Sequence, residues 1–557
     1  MSARLEEPVL RGTAGRNADA THEVTNQPPP LSGYNAYTQD RLLVAAAQRA
    51  DAGWIAREAT ALGELVGSER MQVLADQANR YGPTLKTHDR FGHRIDAVEF
   101  HPAYHELMSL AFGAGLHSLA WTAKQGGGFA ARAALNYVWN QGEQGISCPV
   151  TMTFAGVQVL RHAPALAAEW EPKLTANAYD PRPIPIAQKT GASIGMAMTE
   201  KQGGSDLRSN STVAIQADGG YLLTGHKWFC SAPMCDGFLA LARLADRVTC
   251  FLVPRSLTDG TRNPFLIQRL KDKIGNRSNA SAEIEFKNTF AHVVGPPGKG
   301  IATIIEMAHL TRFDIVVASA GMMRAGLTQA LHHARHRAAF GKRLAEHAAM
   351  QNVLADLALE SEAATLTAFR LAQAFDRGAK DPKERMLARI MTPVAKYWLC
   401  KRNPVFTFEA MECLGGNGFV EDGPFGRLFR ESPLNGIWEG SGNVICLDVL
   451  RSVEREPESL AALLAEIVAA GDNPHLKAYH ARLQREFSDR ANLESRARKL
   501  VEMAATALQA SLMLRHADSR AAEAFCASRL GGDWGHVFGT LPAGTDCRAL
   551  IERVALQ

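Results

Sequence analysis

The spacing of apolar residues changes twice along this chain of 557 residues. Over residues 40–165 they recur every three or four positions, which is typical of amphipathic helices. Over 184–294 the spacing falls to two, in short runs that predict strands, and Asp218-Gly219-Gly220 between two of these runs predicts a hairpin. The helical spacing returns over 300–455 and again over 459–557. The expected fold is therefore helices, a sheet, helices and then further helices.

The unit boundaries follow from these changes. Residues 1–40 are polar and contain Pro28-Pro29-Pro30, so we expect a tail that is either flexible or ordered by docking as an arm. A polar, proline-containing break follows Glu454. The expected units after the tail are an N-terminal α-helical domain, a middle β-domain, a C-terminal α-helical domain and an extra α-helical domain, over 41–183, 184–296, 297–455 and 456–557.

Composition excludes several classes of protein. Hydrophobic residues make up 46% and charged residues 21% of the chain, which excludes a wholly disordered or fibrous protein. The net charge of +4 gives no bulk argument for binding nucleic acid or membranes. No apolar run reaches the ~18 residues of a membrane-spanning helix, and the N-terminus lacks the apolar region of a secretory signal. The nine cysteines are scattered without CxxC spacing, so we expect a reduced, cytoplasmic enzyme without a disulfide framework or zinc site.

Two polar segments of the β-region carry groups that suit a flat ligand. The loop GMAMTEKQGGSD (195–206) combines the hydroxyls of Thr199 and Ser205 with glycines that allow close backbone approach. The strand GHKWFCS (225–231) places an aromatic wall, Trp228, beside small polar groups. Taken alone, the first segment could equally be a polar turn, and the tryptophan could belong to the core of a β-barrel.

Two later segments carry charge. In RAAFG (337–341), Arg337 suits a phosphate and Phe340 suits an adenine ring, although a helix C-cap explains the same residues. In IWEGSGN (437–443), Glu439 lies between a tryptophan and glycines that open a helix. A carboxylate against an aromatic ring in a closed pocket should have a raised pKa, which suits a general base, whereas helix capping is the alternative. His332 and His336 have metal-ligand spacing, but without a third ligand they indicate a surface helix rather than a metal site.

The order of these motifs resembles the acyl-CoA dehydrogenase superfamily. MTEKQGGSD, GHKWFCS, RAAFGKRL, ECLGGNGF and IWEGSGN follow the family order over about residues 40–450. The resemblance implies an N-terminal helical domain, a barrel-like middle β-domain, a C-terminal four-helix domain, bound FAD, an acyl-CoA substrate and a homotetramer or dimer of dimers.

A closer resemblance is to one bacterial branch of this family. RLKDKIGNRSNAS (269–281), LTRFD (310–314) and about a hundred further helical residues are similar to flavoproteins of the adaptive response to alkylating agents. Members of that branch are isovaleryl-CoA dehydrogenase-like, have weak dehydrogenase activity, and carry an extra helical domain associated with double-stranded DNA binding.

The resemblance also assigns roles to residues. Glu439 matches the catalytic base. The residues that match cofactor-binding positions are Met198, Thr199, Gly204, Ser205, Trp228, Phe229, Cys230, Ser231, Arg337, Phe340, Ile437, Trp438, Gly440, Ser441, Gly442 and Asn443. Arg337 and Phe340 match residues that hold the dinucleotide of a neighbouring subunit.

The sequence departs from the family at three of these places. Cys230 stands where many members have threonine, and a thiol is a weaker donor. Thr311 stands where the isovaleryl branch carries its base, which leaves Glu439 as the candidate. Lys201 and Gln202 occupy the place of the family's Pro-Gly, and the effect of the lysine on the coenzyme A tail is open.

The last helices give an ambiguous electrostatic signal. Residues 451–557 contain 14 Lys+Arg and 14 Asp+Glu, so their formal charge is zero. Within them, 482–499 holds six basic and three acidic residues, a local +3. The resemblance makes this stretch the candidate DNA-binding surface, with backbone-driven and salt-dependent contacts, whereas composition alone favours a solvated helix face. The candidate residues are Arg482, Arg485, Arg496, Arg498 and Lys499.

Three functions remain open at this point. The first is an FAD- and DNA-binding protein of the alkylation response with auxiliary dehydrogenase activity. The second is a metabolic short- or branched-chain acyl-CoA dehydrogenase whose extra domain only covers a surface or supports the oligomer. The third is a flavin-stabilised DNA-binding protein without turnover. The sequence leaves open the physiological acyl group, the DNA sequence preference and any direct action on alkylating agents.

Overall fold

The computed structural model describes residues 21–556, and the first half of the predicted tail lies outside the described residues. The described part of the tail contacts the body of the protein. The Asn26 side chain pairs with both the N–H and the carbonyl of Ala338, at 2.8 Å each. The Leu31 carbonyl accepts from Gln72 at 2.6 Å. Residues 26–31 are therefore docked along the surface.

The N-terminal region consists mainly of helices. Asp40 and Ser68 accept from the free N–H groups of the first turns of the helices that follow them. The helices are α1 Arg41–Arg49, α2 Ala56–Val66, α3 Glu69–Arg80, α4 Pro102–Gly113, α5 Leu119–Thr122, α6 Gly128–Gly142, α7 Ser147–Leu160 and α8 Pro164–Leu174. Helices α6 and α7 are buried on nearly every face, which makes them the core of this region.

A hairpin interrupts the helices where only helix was predicted. Strands β1 Thr84–His88 and β2 Arg94–Glu99 pair antiparallel. Asp96 of β2 is fully buried, and its carboxylate accepts from Arg94, from Arg262 and from the N–H of Ile267. The last two donors come from residues more than 160 positions later in the chain. Tertiary docking on the β-domain thus stabilises a hairpin that local helical spacing did not predict.

The middle region forms a closed sheet. Its strands are β3 Ile194–Ala197, β4 Val213–Ala217, β5 Gly220–Ser231, β6 Gly237–Leu244, β7 Arg247–Pro254, β8 Phe265–Leu270 and β9 Ser281–Val294. The pairings run β6-β4-β5-β9-β7 and return from β7 to β6, with β3 added on β6 and β8 on β9. The ring closes a small barrel, as predicted, and the predicted hairpin at 218–220 joins β4 to β5.

Long helices follow the barrel. They are α9 Gly300–His336, α10 Ala348–Gly378, α11 Pro382–Glu412, α12 Phe425–Glu431 and α13 Gly442–Arg455. A two-residue hairpin, β10 Ala338–Ala339 and β11 Lys342–Arg343, lies between α9 and α10. Helix α9 packs against α6, α7, α10 and α11, so it runs through the centre of the molecule and joins the N-terminal and C-terminal helices into one core.

The last helices pack onto this bundle. They are α14 Pro457–Val468, α15 Pro474–Ser488, α16 Leu493–His516, α17 Ser519–Phe525, a π-helical turn Cys526–Leu530 and α18 Cys547–Val554. Three buried or half-buried polar contacts attach them. Arg370 of α10 pairs with Glu466, Trp398 of α11 donates to Gln509 at 2.9 Å, and Asp356 of α10 binds Arg529.

The state of the cysteines and the apolar character of the helices can be read from the structure. The nine cysteines are free thiols, and all but Cys547 are buried. Across residues 21–556, none of the helices combines the length and the apolar character that crossing a bilayer requires.

Candidate functional site

The loop after β3 is held by a buried ion pair. Glu200 and Lys227 of β5 are both fully buried, with 2.8 Å between Oε1 and Nζ. The same carboxylate accepts from the backbone N–H and hydroxyl groups of Ser211 and Thr212. These partners hold the pKa of Glu200 well below its usual range, against the effect of burial. The loop at 198–206 is thus fixed to the barrel, and sequence reasoning did not single out either charged residue.

The groups predicted to face the cofactor flank this anchor. The Met198 carbonyl accepts from Asn210 at 3.0 Å, and the Trp228 N–H donates to the Thr199 carbonyl at 2.8 Å. A Cβ added to Gly204 would come within 2.4 Å of the Thr199 Oγ1 atom, so only glycine fits there. Ser205 is exposed.

The last three residues of strand β5, Phe229, Cys230 and Ser231, differ in their exposure to solvent and in their contacts. Phe229 is 51% exposed, Cys230 is fully buried, and the Ser231 hydroxyl lies 3.3 Å from that of Ser281. Lys271 Nζ stands 3.3 Å from the centre of the Trp228 ring, a cation–π contact. The thiol of Cys230 has no exposed surface, so its predicted contact with a flavin ring stays a prediction.

Glu439 lies in a left-handed turn. Its φ is +57°, and Gly440 follows with φ +104°. The Oε2 atom is shielded from water and has no hydrogen-bond partner within the described chain. Burial raises the pKa of this carboxyl, while the charges of Arg312 and Lys396 and the Thr311 hydroxyl oppose the rise. A strained backbone and an unpartnered buried carboxylate oxygen together mark a functional site.

Two buried cations hold the carbonyls of that turn. Arg312 Nε donates to the Glu439 carbonyl at 2.8 Å. Lys396 Nζ donates to the carbonyls of Trp438 and Gly440, at 3.0 and 2.5 Å. Asp448 in turn pairs with Arg312 at 2.9 Å. Sequence analysis did not identify Lys396, because nothing in the local pattern of α11 distinguishes a buried lysine from a solvated one.

Cys148, at the start of α7, connects the turn with the barrel. Burial raises the pKa of its thiol to about 12; the Ser231 hydroxyl bonds to it, and the charge of Glu439 adds to the rise. The Cys148 thiol of α7 therefore bonds to a residue of β5, and the Glu439 carboxylate lies close enough for its charge to act on that thiol.

The Arg337–Gly341 segment forms the tip of the hairpin after α9. Phe340 and Gly341 have φ of +52° and +81°, the signature of a type I′ turn. Phe340 is 97% exposed. Arg337 donates to the Asn26 carbonyl at 2.6 Å, so the docked tail holds it. The structure thus leaves the Phe340 ring in solvent at a backbone position that is unfavourable for a residue with a Cβ.

The N-terminus of α13 joins two predicted groups of residues. Ile437 is 64% exposed, and the Trp438 ring donates to Asn435 at 3.1 Å. Ser441 stands at the N-cap and Gly442 opens the helix. Asn443, a predicted cofactor contact, accepts from Arg498 at 2.7 Å. Arg498 is predicted to bind DNA; its Nε bonds to the candidate flavin segment while the side chain stays exposed, and the DNA contact remains a prediction.

The other candidate DNA-binding residues divide into two groups. Arg496 and Lys499 both pair with Glu486, at 2.8 and 2.7 Å, so part of the local positive charge is neutralised within the protein. Arg482 and Arg485 are exposed on α15. Among the five candidates, Arg482 and Arg485 are thus the exposed cations for which the described chain shows no ion pair with a carboxylate, apart from Arg498.

The surroundings fit the flavin that the resemblance implies. A flavin needs apolar contact for its ring system and polar groups along its edges. Phe229 and Ile437 offer exposed apolar surface, and the half-buried Thr199 and Ser231 offer hydroxyls. The residues present therefore suit this group.

Comparison with known families agrees with this geometry. The profile described as the adaptive response protein AidB N-terminal domain matches residues 26–181. The acyl-CoA dehydrogenase middle domain matches 195–289, and the acyl-CoA dehydrogenase C-terminal domain matches 298–454. Together these matches cover most of the chain before the last helices.

Individual relatives extend the match. The acyl-CoA dehydrogenase homologue AidB of Escherichia coli (strain K12) is 42% identical over 511 residues, which is 91% of this chain and 94% of that protein. The mitochondrial isovaleryl-CoA dehydrogenase of Oryza sativa subsp. japonica is 26% identical over 65% of this chain and 86% of its own length.

A solved structure shares the whole architecture. Caenorhabditis elegans ACDH-11, in complex with C11-CoA, superposes with a TM-score of 0.83 and is 26% identical, over 92% of this chain and 94% of that one. The helices, barrel and helices described above are therefore the acyl-CoA dehydrogenase fold, as predicted. The chain belongs to the acyl-CoA dehydrogenase superfamily of FAD-dependent oxidoreductases, and within it to the AidB-like proteins.

Proposed function

We propose that this protein is a cytoplasmic, AidB-like FAD flavoprotein that oxidises isovaleryl-type acyl-CoA thioesters slowly, with Glu439 as base. It also binds double-stranded DNA and takes part in the adaptive response to alkylating agents. The observation that carries the enzymatic part is Glu439 itself, whose unpartnered carboxylate oxygen lies in a turn held by two cations. The relationship with AidB supports the DNA-binding part.

The chemistry follows from this arrangement. The α-proton of a thioester is weakly acidic, so its removal requires a positioned base and a stabilised carbonyl oxygen. Glu439 takes the α-proton at Oε2, the atom that the protein leaves without a partner. FAD, when bound, supplies the acceptor for the β-hydride. The FAD would be held by three segments: the loop at 198–206, the end of β5 and the 437–443 turn.

The relatives support the choice of substrate. ACDH-11 of C. elegans was crystallised with C11-CoA, and the rice relative is an isovaleryl-CoA dehydrogenase. An anaerobic titration of the purified flavoprotein with isovaleryl-CoA tests the proposal. Bleaching of the long-wavelength flavin band supports it, whereas an unchanged spectrum with every acyl-CoA tried refutes the enzymatic part.

The dehydrogenase activity should depend on pH through Glu439. Burial raises the pKa of this carboxyl, and only the ionised form accepts a proton. Activity should therefore be lost as the pH falls through the raised pKa, which lies above the value of about 4.3 for an ordinary glutamate. The measurement is the acid limb of kcat/KM against pH. A limb at or below the ordinary value would contradict the assignment of the base.

We also propose that the protein forms a homo-oligomer, with a tetramer expected. The exposed ring of Phe340 at a strained turn supports this, because an oligomer would give it a partner. Arg337 and Phe340 would then act on the dinucleotide of the neighbouring subunit. Sedimentation velocity of the flavoprotein tests the proposal.

The surface that we propose for DNA is the exposed face of α15. Arg482 and Arg485 lie three positions apart, on one side of the helix. Arg490 follows just after the helix and is exposed as well. Because Arg496 and Lys499 already pair with Glu486, they should contribute less than their charge suggests.

Replacing both Arg482 and Arg485 by alanine should weaken binding to any duplex. Each phosphate contact contributes about 0.9 to the slope of log K against log salt, so the slope should fall by up to about 1.8. Electrophoretic mobility of duplex DNA across a salt series measures it. Arg57→Ala, which removes an arginine 92% exposed on α2, is the matched control. An equal effect of the control would place the DNA elsewhere.

One observation favours a metabolic dehydrogenase without a DNA role. The last helices are attached by polar contacts from α10, α11 and the 437–443 segment, including Asn443–Arg498, so they also stabilise the enzyme body. Absence of duplex binding at low salt, with full flavin bleaching, would establish this alternative.

A further inference from the structure

Lys396 occupies an unusual place for a lysine. Its side chain is 1% exposed, inside the bundle on α11. Its Nζ donates to the carbonyls of Trp438 and Gly440, at 3.0 and 2.5 Å, one on each side of Glu439. Arg312 takes the carbonyl between them, at 2.8 Å. Three consecutive carbonyls of the turn are thus directed at buried cations.

This arrangement determines where the Glu439 N–H points. The chain has no cis peptide bond among the described residues, and in a planar trans peptide the carbonyl and the next N–H point in opposite directions. Holding the Trp438 carbonyl at Lys396 therefore turns the Glu439 N–H away from α11. The left-handed backbone of Glu439 is unfavourable for a residue with a Cβ, so it needs contacts of this kind to persist.

The released N–H is free to serve a ligand. Within residues 21–556, the Glu439 N–H donates to no protein acceptor, and the Oε2 atom of the same residue accepts from no protein donor. One residue thus offers a hydrogen-bond donor and a base together. Removing a proton next to a thioester carbonyl requires both, because the negative charge moves to the carbonyl oxygen.

We propose that Lys396 is a positioning residue for this reaction, which holds the 438–440 turn so that the Glu439 N–H is directed at the thioester oxygen. The inference rests on the proposed dehydrogenase function. In the step concerned, the α C–H bond breaks and its proton passes to the Glu439 carboxylate. The electron pair moves to the thioester oxygen, which the N–H stabilises, and it returns when the β-hydride leaves for FAD.

The variant that tests this is Lys396→Met, whose unbranched side chain is one atom shorter than that of lysine and has no donors. Loss of one oxyanion donor costs about 10²–10³-fold in kcat, so a drop of that size is expected, with a small change in KM. Lys396→Gln, which can reach fewer acceptors, should fall between the variant and the wild type. The glutamine variant replaces the methionine variant as the test if the latter does not fold.

A matched control is available in Lys189. This lysine is also buried, and its Nζ donates to the carbonyls of Asp180 and Arg182 and pairs with Asp236, away from the turn. Lys189→Met removes a buried ammonium of the same kind and should leave kcat unchanged. FAD content and thermal unfolding of both variants show whether the fold is intact.

The pH profile separates positioning from charge. Removing the positive charge of Lys396 also raises the pKa of Glu439, so part of any loss at low pH is electrostatic. If Lys396 positions the N–H, the loss of kcat persists at a pH where Glu439 is fully ionised. A loss that disappears at high pH, or a kcat within tenfold of wild type at every pH, would overturn the inference.

A crystal structure of Lys396→Met decides the inference independently of turnover. A turn that relaxes from the left-handed conformation at Glu439 supports the positioning role, and an unchanged turn overturns it. If no acyl-CoA reduces the flavin of the wild-type protein, the proposed function fails. The crystal structure of the Lys396→Met variant then decides by itself whether Lys396 holds the turn.

Discussion

Replacing Glu439 by glutamine should lower the rate of flavin reduction by an acyl-CoA by about 10²–10⁴-fold while FAD stays bound. Glutamine has the same shape as glutamate but cannot accept the α-proton. The contacts that hold the turn, from Arg312 and Lys396, go to backbone carbonyls and are unchanged by the substitution. Rapid mixing of the oxidised variant with isovaleryl-CoA, without oxygen, measures the rate.

The controls for this variant follow from the structure. The flavin spectrum and content should match wild type, because the substitution removes no group predicted to bind FAD. Its thermal stability should be equal or higher, since the charge on a carboxyl whose ionised form burial disfavours, and whose Oε2 atom has no partner, is removed. If the variant kept more than a tenth of the wild-type rate, another group would have to be the base, and Thr311 beside it has no carboxylate.

Replacing Asp356 by alanine should destabilise the protein by up to about 3–5 kcal/mol, the cost of breaking a buried ion pair; Glu360, 3.3 Å from the Arg529 guanidinium, offsets part of that cost. The Asp356 side chain is fully buried on α10 and binds the Arg529 guanidinium. It also accepts from the Trp534 ring at 3.2 Å and from the Gly539 N–H at 2.9 Å. One carboxylate thus binds three groups of the segment 526–541, which follows α17.

The effect should be local as well as global. Hydrogen exchange of residues 526–541 should accelerate, because all three donors come from that segment. Urea denaturation measures the loss of stability. Asp472→Ala is the matched control, since this residue is 87% exposed and pairs with Lys477 at 3.6 Å, and it should change stability by less than about 0.5 kcal/mol. Similar losses in both variants would contradict the anchoring role.

The sequence predicted the order of the layers because alternation and helical spacing are local properties. Most of the barrel strands and all the long helices follow from them. The β1–β2 hairpin could not be predicted in this way. The hydrogen bonds of its buried Asp96 come from Arg262 and Ile267, which lie more than 160 residues later in the sequence. No spacing rule contains that information.

The candidate site shows the same division. Glu439 stood out from its neighbours, and burial raises its pKa as expected. Lys396 and the Glu200–Lys227 pair could not be identified, since a lysine reads as a surface residue until the fold buries it. The charge count over 482–499 was correct, but it could not show that Glu486 takes up two of the cations.

The length of α9 has a consequence for how such chains can vary. Its 37 residues carry Thr311 and Arg312 against the Glu439 turn and end directly before the Arg337 hairpin. A single inserted residue between these points would rotate everything beyond it by about 100° and advance it by about 1.5 Å. Insertions and deletions should therefore be purged from α9 and accumulate instead in exposed connections, such as the one between α14 and α15.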